Sequence, residues 1–152
     1  MSKLFGFSEQ LRKGLAAQDL FAAKWRLEQI PGKGSDFKLK NGQQLELKTD
    51  SRPSTKTGNL FIERYSSTVK KSDGGPWQAL HHGSKWFVYQ FTDIELCFET
   101  QALVEWLDDN LDNYQSRKID NGNYITLGYL IPIADVSKLC VPLKYVIAIT
   151  DV

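Results

Sequence analysis

The stretch SDFKLKNGQQLELKTDSR, from Ser35 to Arg52, constrains the fold more tightly than any other part of the chain. Apolar and polar residues alternate along it and Asn41-Gly42 stands in the middle, the pattern of a half-buried β-hairpin. Phe37, Leu39, Leu45 and Leu47 are odd-numbered; Asp36, Lys38, Lys40, Gln44, Glu46 and Lys48 are even-numbered. A strand has a side-chain period of two, so the apolar residues share a face only if paired residues have numbers of equal parity. A two-residue Asn41-Gly42 turn would pair 40 with 43, set Phe37 beside Glu46 and mix the faces. A three-residue loop, Lys40-Asn41-Gly42 with Gly42 in the left-handed region, pairs 39 with 43. Asp36 then stands opposite Glu46 with Cβ atoms about 5 Å apart, and Lys48 follows about 7 Å along the same face.

Two carboxylates this close repel each other unless a cation lies between them. A carboxylate site with open positions suits Mg²⁺ or Mn²⁺ rather than zinc. A lysine beside it can position or deprotonate a water, or stabilise negative charge. Asp36, Glu46 and Lys48 therefore make a chemically sensible site for hydrolysing a phosphodiester. The same alternation also describes a cross-charged face that is merely wet, and Glu-x-Lys by itself is too common to decide between them.

A chain of 152 residues suggests one domain, residues 1–152, with a real core. Hydrophobic residues at 41% and charged residues at 24% fit a globular protein rather than a disordered one. The net charge of +1 does not announce a strongly basic nucleic-acid binder, but its distribution is uneven. Residues 38–71 hold eight Lys or Arg against three Asp or Glu, a local +5, while residues 93–112 hold seven acids and no base. A basic side near the hairpin is expected. Cys97 and Cys140 sit in apolar runs and read as free thiols, with no zinc-type spacing. No long apolar run is present, so a cytoplasmic protein with no membrane partner is expected.

Helical spacing of Leu11, Leu15, Leu20, Ala23 and Leu27 predicts a helix from Ser8, as cap, to about Gln29, with Gly14 as a point of bending and Pro31-Gly32 as its end. After the hairpin, SRPSTKTG reads as a loop, NLFIERY as a strand, and GGPWQAL as a loop leading into a short helix near Pro76. KWFVYQF and IELCF read as strands, QALVEWLDDN as a helix capped by Thr100, and DNYQSRKIDNGN as a loop. YITLGYLI reads as a strand, PIADVSKL as a short helix and KYVIAIT as a last strand. The expected class is α/β or α+β, an N-terminal helix followed by a mixed β-sheet flanked by helices.

SDFKLKNGQQLELKTD, with the helix before it and NLFIERYS, GGPWQAL and KWFVYQF after it, resembles the core of the PD-(D/E)XK nuclease superfamily, which includes restriction-endonuclease-like and Holliday-junction-resolvase-like enzymes. The likeness covers roughly Ser8 to Phe91, and the order of elements resembles that of small phage and bacterial members. It implies a restriction-endonuclease-like core in which Asp36 and Glu46 hold Mg²⁺ or Mn²⁺ and Lys48 is the catalytic lysine. The implied activity is metal-dependent DNA cleavage by an endonuclease, with branched or recombination DNA among the substrates. A homodimer is expected if paired cuts are made. The chain departs from the family pattern in two places. Ser35 stands where the family has Pro, and a helical Glu of many resolvase-like members is matched here by Gln18 followed by Asp19. Asp19 fills that role or the third ligand is missing; Glu28 is another candidate. An inactive nucleic-acid-binding or interaction module of the same fold is the alternative.

Glu63 is a further candidate acid near the metal, or else the partner of Arg64 or a lysine. Gln78 on the short helix is a candidate to reach the site. Arg52, Lys56, Lys70 and Lys71 are candidate contacts to the DNA backbone. His81 and His82 are adjacent, so on a helix they point about 100° apart and cannot make a two-ligand face. Trp77 is expected in the core, with base stacking as its alternative.

Overall fold

The structure, a computed structural model, describes residues 2–32 and 34–151, with side chains from residue 12 onward. The chain begins with helix α1 (Ser2–Trp25) and runs through strands β1 (Glu28–Gln29), β2 (Phe37–Lys38), β3 (Gln44–Thr49), β4 (Asn59–Ser67) and β5 (Ser72–Asp73). Helix α2 (Gly75–His81), strands β6 (Ser84–Gln90) and β7 (Glu95–Glu99) and helix α3 (Thr100–Asn110) follow. Strands β8 (Ser116–Asp120) and β9 (Ile125–Pro132), then helices α4 (Ile133–Val136) and α5 (Leu143–Thr150), complete a mixed α+β fold.

One sheet is mixed, in the order β1-β2-β3-β6-β7, and the other is antiparallel, β5-β4-β9-β8. In the first, β3 and β6 are parallel. A parallel pair needs a crossover, and β4, β5 and α2 supply it. The two faces of this sheet carry separate cores. Phe37, Leu39, Leu45, Leu47, Trp86 and Val88 pack on one side with Phe21 and Ala22 of α1 and Leu143 and Val146 of α5. Phe87, Tyr89 and Phe98 pack on the other with Trp77 and Ala79 of α2, Leu103, Val104 and Leu107 of α3, and Leu60, Ile62 and Ile131 of the second sheet. Trp77 is thus a core residue.

The hairpin has the register that parity demands. Phe37 pairs with Leu45 and Lys38 with Gln44, and the Leu39 amide donates to the Gln43 carbonyl at 2.8 Å. Gly42, at φ +91°, closes the three-residue loop. All four odd-numbered apolar residues are buried.

Elsewhere the sequence-based expectations need correction. Helix α1 is a single run through Ser8 and Gly14, so Ser8 is no cap and Gly14 no break. The helix stops at Trp25 rather than near Gln29: Arg26 takes φ +56°, and the Leu27 amide returns to the Ala22 carbonyl at 3.0 Å, a Schellman-type stop. Its core-facing stripe is Gln18, Phe21, Ala22 and Trp25; Leu15 and Leu20, 73% accessible in the latter, face outward. The Leu11 side chain lies outside the described residues. KYVIAIT is helical, because Leu143, Val146, Ile147 and Thr150 recur at helical spacing and bury that face, overriding the β-branched composition. The DNYQSRKIDNGN segment contains β8, hydrogen-bonded to β9 from Ser116 to Asp120 through a turn at Gly122, φ +94°. Thr100 opens α3 from inside the helix, with Glu99 as the N-cap. Cys97 is buried and Cys140 half-buried, both free. No helix among the described residues is long and apolar enough to cross a membrane.

Two backbone positions give a test of opposite signs. Arg26 bears a left-handed conformation that glycine adopts freely, so Arg26→Gly is expected to raise stability by about 0.5–1 kcal/mol. Gly75, at φ +47°, would place a Cβ 2.7 Å from the Glu63 carbonyl oxygen, so Gly75→Ala is expected to cost more than about 1 kcal/mol. Urea denaturation of both variants reads the two shifts directly.

Candidate functional site

Along the even-numbered face of the hairpin, Lys38 and Lys40 are exposed, whereas Asp36, Glu46 and Lys48 are half-buried. The Glu46 and Lys48 part of this face is the enclosed one. It meets β4 and α2, which are held close by two glycines. A Cβ on Gly74 would lie 3.1 Å from the Glu63 Cβ, and Gly75 leaves still less room. The resulting cavity, about 180 Å³, is lined by Glu46, Lys48, Glu63 and Gln78 over an apolar floor that includes Phe61 and Phe87.

Asp36 is oriented from two directions. Its Oδ2 accepts a 2.9 Å hydrogen bond from the Leu47 amide, and its Oδ1 accepts one from Gln18 Nε2 at 3.2 Å. Glu46 stands directly across the hairpin, near enough for the Asp36 carboxyl to disfavour its ionised form. Burial first, and then the neighbouring Asp36 carboxyl, push the Glu46 pKa up to about 9. The shift favours a protonated Glu46 near neutral pH, a proton being the simplest cation that relieves two facing carboxylates.

Lys48 points into the same cavity, with Nζ 3.9 Å from Glu63 Oε1. Glu63 is thus the partner of a lysine, and that lysine is Lys48; Arg64 pairs instead with Asp73 at 2.9 Å. Gln78 joins this set. Asp19 does not: it is exposed and accepts a hydrogen bond from Gln29 Nε2 at 3.0 Å. Adjacent positions on a helix differ by about 100°, and Gln18, not Asp19, is on the stripe that meets Asp36. Glu28 lies exposed in β1.

The donor set can be tested against a divalent ion. Among the described residues no group of three His, Cys, Asp or Glu side chains comes together. Mg²⁺, however, commonly takes one or two carboxylates and completes its shell with water and substrate phosphate oxygens. The facing Asp36 and Glu46 carboxyls fit that requirement.

The basic candidates fall in three places. Arg52 lies beside the site, its guanidinium bonded to Asp50 at 3.1 Å and 3.3 Å. Burial works to raise the Asp50 pKa, but hydrogen bonds from Arg52 and from Tyr89 Oη, the latter at 2.9 Å, hold it below its ordinary value. Lys56 is exposed on the β3–β4 loop. Lys70 and Lys71 sit at the turn beyond Ser67, itself four residues and about 13 Å along the strand from Glu63. The latter two are therefore separated from the cavity. His82 ends α2 as its C-cap.

The chain matches no protein-family model, no curated protein and no solved structure.

The raised Glu46 pKa makes stability fall as pH rises. The native state retains on Glu46 a proton that the unfolded chain gives up near pH 4.5, the ordinary value, and loses it only near pH 9. This stabilisation is complete below the first value and disappears as pH rises through the second. In chelator, midpoints of urea unfolding are expected to fall from pH 5 to 9, and Glu46→Gln should flatten that fall.

Proposed function

We propose that this protein is a metal-dependent DNA endonuclease of the PD-(D/E)XK type, which hydrolyses phosphodiester bonds at the cavity between β3, β4 and α2. One observation carries the proposal: Glu46 faces Asp36 across the hairpin, close enough for that charge to raise its pKa, and lines one cavity with Lys48, an arrangement that a cation relieves. The order of elements supports it as well: a helix, three antiparallel strands, a crossover with a helix, and a strand parallel to the one bearing Glu46 and Lys48.

Asp36 and Glu46 would hold Mg²⁺ or Mn²⁺, which supplies Lewis-acid neutralisation of charge on the phosphodiester. Gln18 and the Leu47 amide fix the Asp36 carboxylate. Lys48, held toward Glu63, orients the attacking water and receives or stabilises developing charge. The Gln78 amide offers hydrogen bonds to a phosphate oxygen. Arg52 and Lys56 line the approach of the DNA, and Lys70 and Lys71 reach its backbone further out.

A second reading has a specific observation behind it. Where a resolvase-like third acid would stand, Gln18 donates to Asp36, and an amide cannot add negative charge for a metal. A nucleic-acid-binding module without catalysis would show this feature.

Cleavage and metal affinity, measured together, separate the two. Lys48→Ala is expected to abolish most cleavage of supercoiled, linear and branched DNA while leaving Mn²⁺ binding intact; Asp36→Ala is expected to lose both. Wild-type protein that binds Mn²⁺ and DNA but cuts none of these substrates would favour the binding module. DNA affinity should also weaken steeply with salt, and neutralising Lys70 and Lys71 together should lower the slope by about two if both touch phosphate.

A further inference from the structure

A second cleft, of about 490 Å³, adjoins the first; it is bordered by Lys48 and Arg52 on one side and by Phe61, Arg117 and Ile119 on the other. Phe61 and Lys48 line both cavities. The far wall is the face of the antiparallel sheet that bears Glu63. Strand register sets Glu63 opposite Gly128, and Gly128 opposite Arg117, in one row across β4, β9 and β8. Paired residues project from the same face, so Arg117 stands two strand spacings, about 10 Å, from Glu63. The middle position has no side chain. Phe61 fills that space: a Cβ on Gly128 would lie 2.2 Å from Phe61 Cζ, so the ring reaches across to β9 and covers the glycine.

The two arginines differ in what they can offer. Arg52 is already engaged by Asp50. Arg117 is exposed on edge strand β8 and forms no ion pair among the described residues. An unpaired guanidinium, a half-buried aromatic ring and the Lys48 ammonium thus border a continuous cleft. A planar guanidinium suits phosphate, and a partly open ring suits the face of a base.

We propose that this cleft is a subsite for an unpaired nucleotide flanking the reacting phosphodiester, with its phosphate on Arg117 and its base on Phe61. The assignment rests on the nuclease reading, because the phosphodiester beside Lys48 defines which nucleotide occupies it. It gives the site a preference for DNA with a single-stranded element next to the cut. Duplex with both flanking bases stacked cannot lay a base on Phe61 without first unpairing it.

The test is fluorescence anisotropy in chelator, with fluorescein-labelled oligothymidylate and an abasic oligomer of equal phosphate number as the probes, alongside a cleavage assay. Arg117→Ala should weaken both probes and lower the salt slope by about 0.7, the value for one phosphate on a single strand, with Arg117→Lys restoring the slope. Phe61→Leu should weaken oligothymidylate by about fivefold or more and leave the abasic probe unchanged. Lys118→Ala, on the opposite face of the same strand, should change neither. If Arg117→Ala binds both probes like wild type, or wild type binds no single strand, the subsite is wrong even where the protein still cuts DNA. If wild type cuts nothing yet the Arg117 and Phe61 effects appear, the subsite stands and the nuclease reading falls.

Discussion

The register of one hairpin governs both the core and the site. With Gly42 at φ +91° closing a three-residue loop, Phe37, Leu39, Leu45 and Leu47 all face the core under α1 and α5. A slip by one residue would expose these four and bury Asp36, Glu46 and Lys48 in their place. Each fully buried apolar side chain of this size is worth roughly 1.5–3 kcal/mol, so the set weighs as much as the whole stability of an ordinary domain. The mutual repulsion of two carboxylates is a smaller cost. Folding therefore forces Asp36 against Glu46. Hydrophobic burial on one face sets the placement of the carboxyls on the other.

Why this much could be read from the chain, and no more, follows from the same physics. Alternation has a period of two and a hard penalty for slipping, so the pairing of 39 with 43 and the two faces of the hairpin were legible. Helical phase was not. In α1 both Leu15 and Leu20 and the set Phe21, Ala22 and Trp25 satisfy three- and four-residue steps, and only the surface they meet decides between them. In α5 the β-branched run suggested a strand, although Leu143, Val146 and Thr150 already carried the helical period. Strand β8 has no buried side chain; it is held to β9 by backbone hydrogen bonds, and its charged residues suit an edge. The one local sign of it was the Asn121-Gly122 turn.

The site divides along the same line. Asp36, Glu46 and Lys48 share one hairpin and follow from local rules. Glu63 and Gln78 reach the cavity through a crossover, so their placement depends on how β4 and α2 pack, for which Gly74-Gly75 was the available clue. The choice between Gln18 and Asp19 turned on the unread phase of α1. Arg117 was hidden because its strand was. What the fold brings together is more polar and more enclosed than a wet sheet face: Glu46 with its raised pKa, Lys48 near a third acid, and an apolar floor beneath them.

On the proposed reading, Glu46 and Asp36 exchange a proton for a divalent ion. Calorimetric titration with Mn²⁺ near neutral pH, repeated in buffers of different ionisation enthalpy, counts protons released on binding. Because burial and the Asp36 charge raise the Glu46 pKa, stoichiometric binding with release of protons is expected, and loss of both in Asp36→Ala. Absence of binding, or binding with no proton released, would contradict that reading.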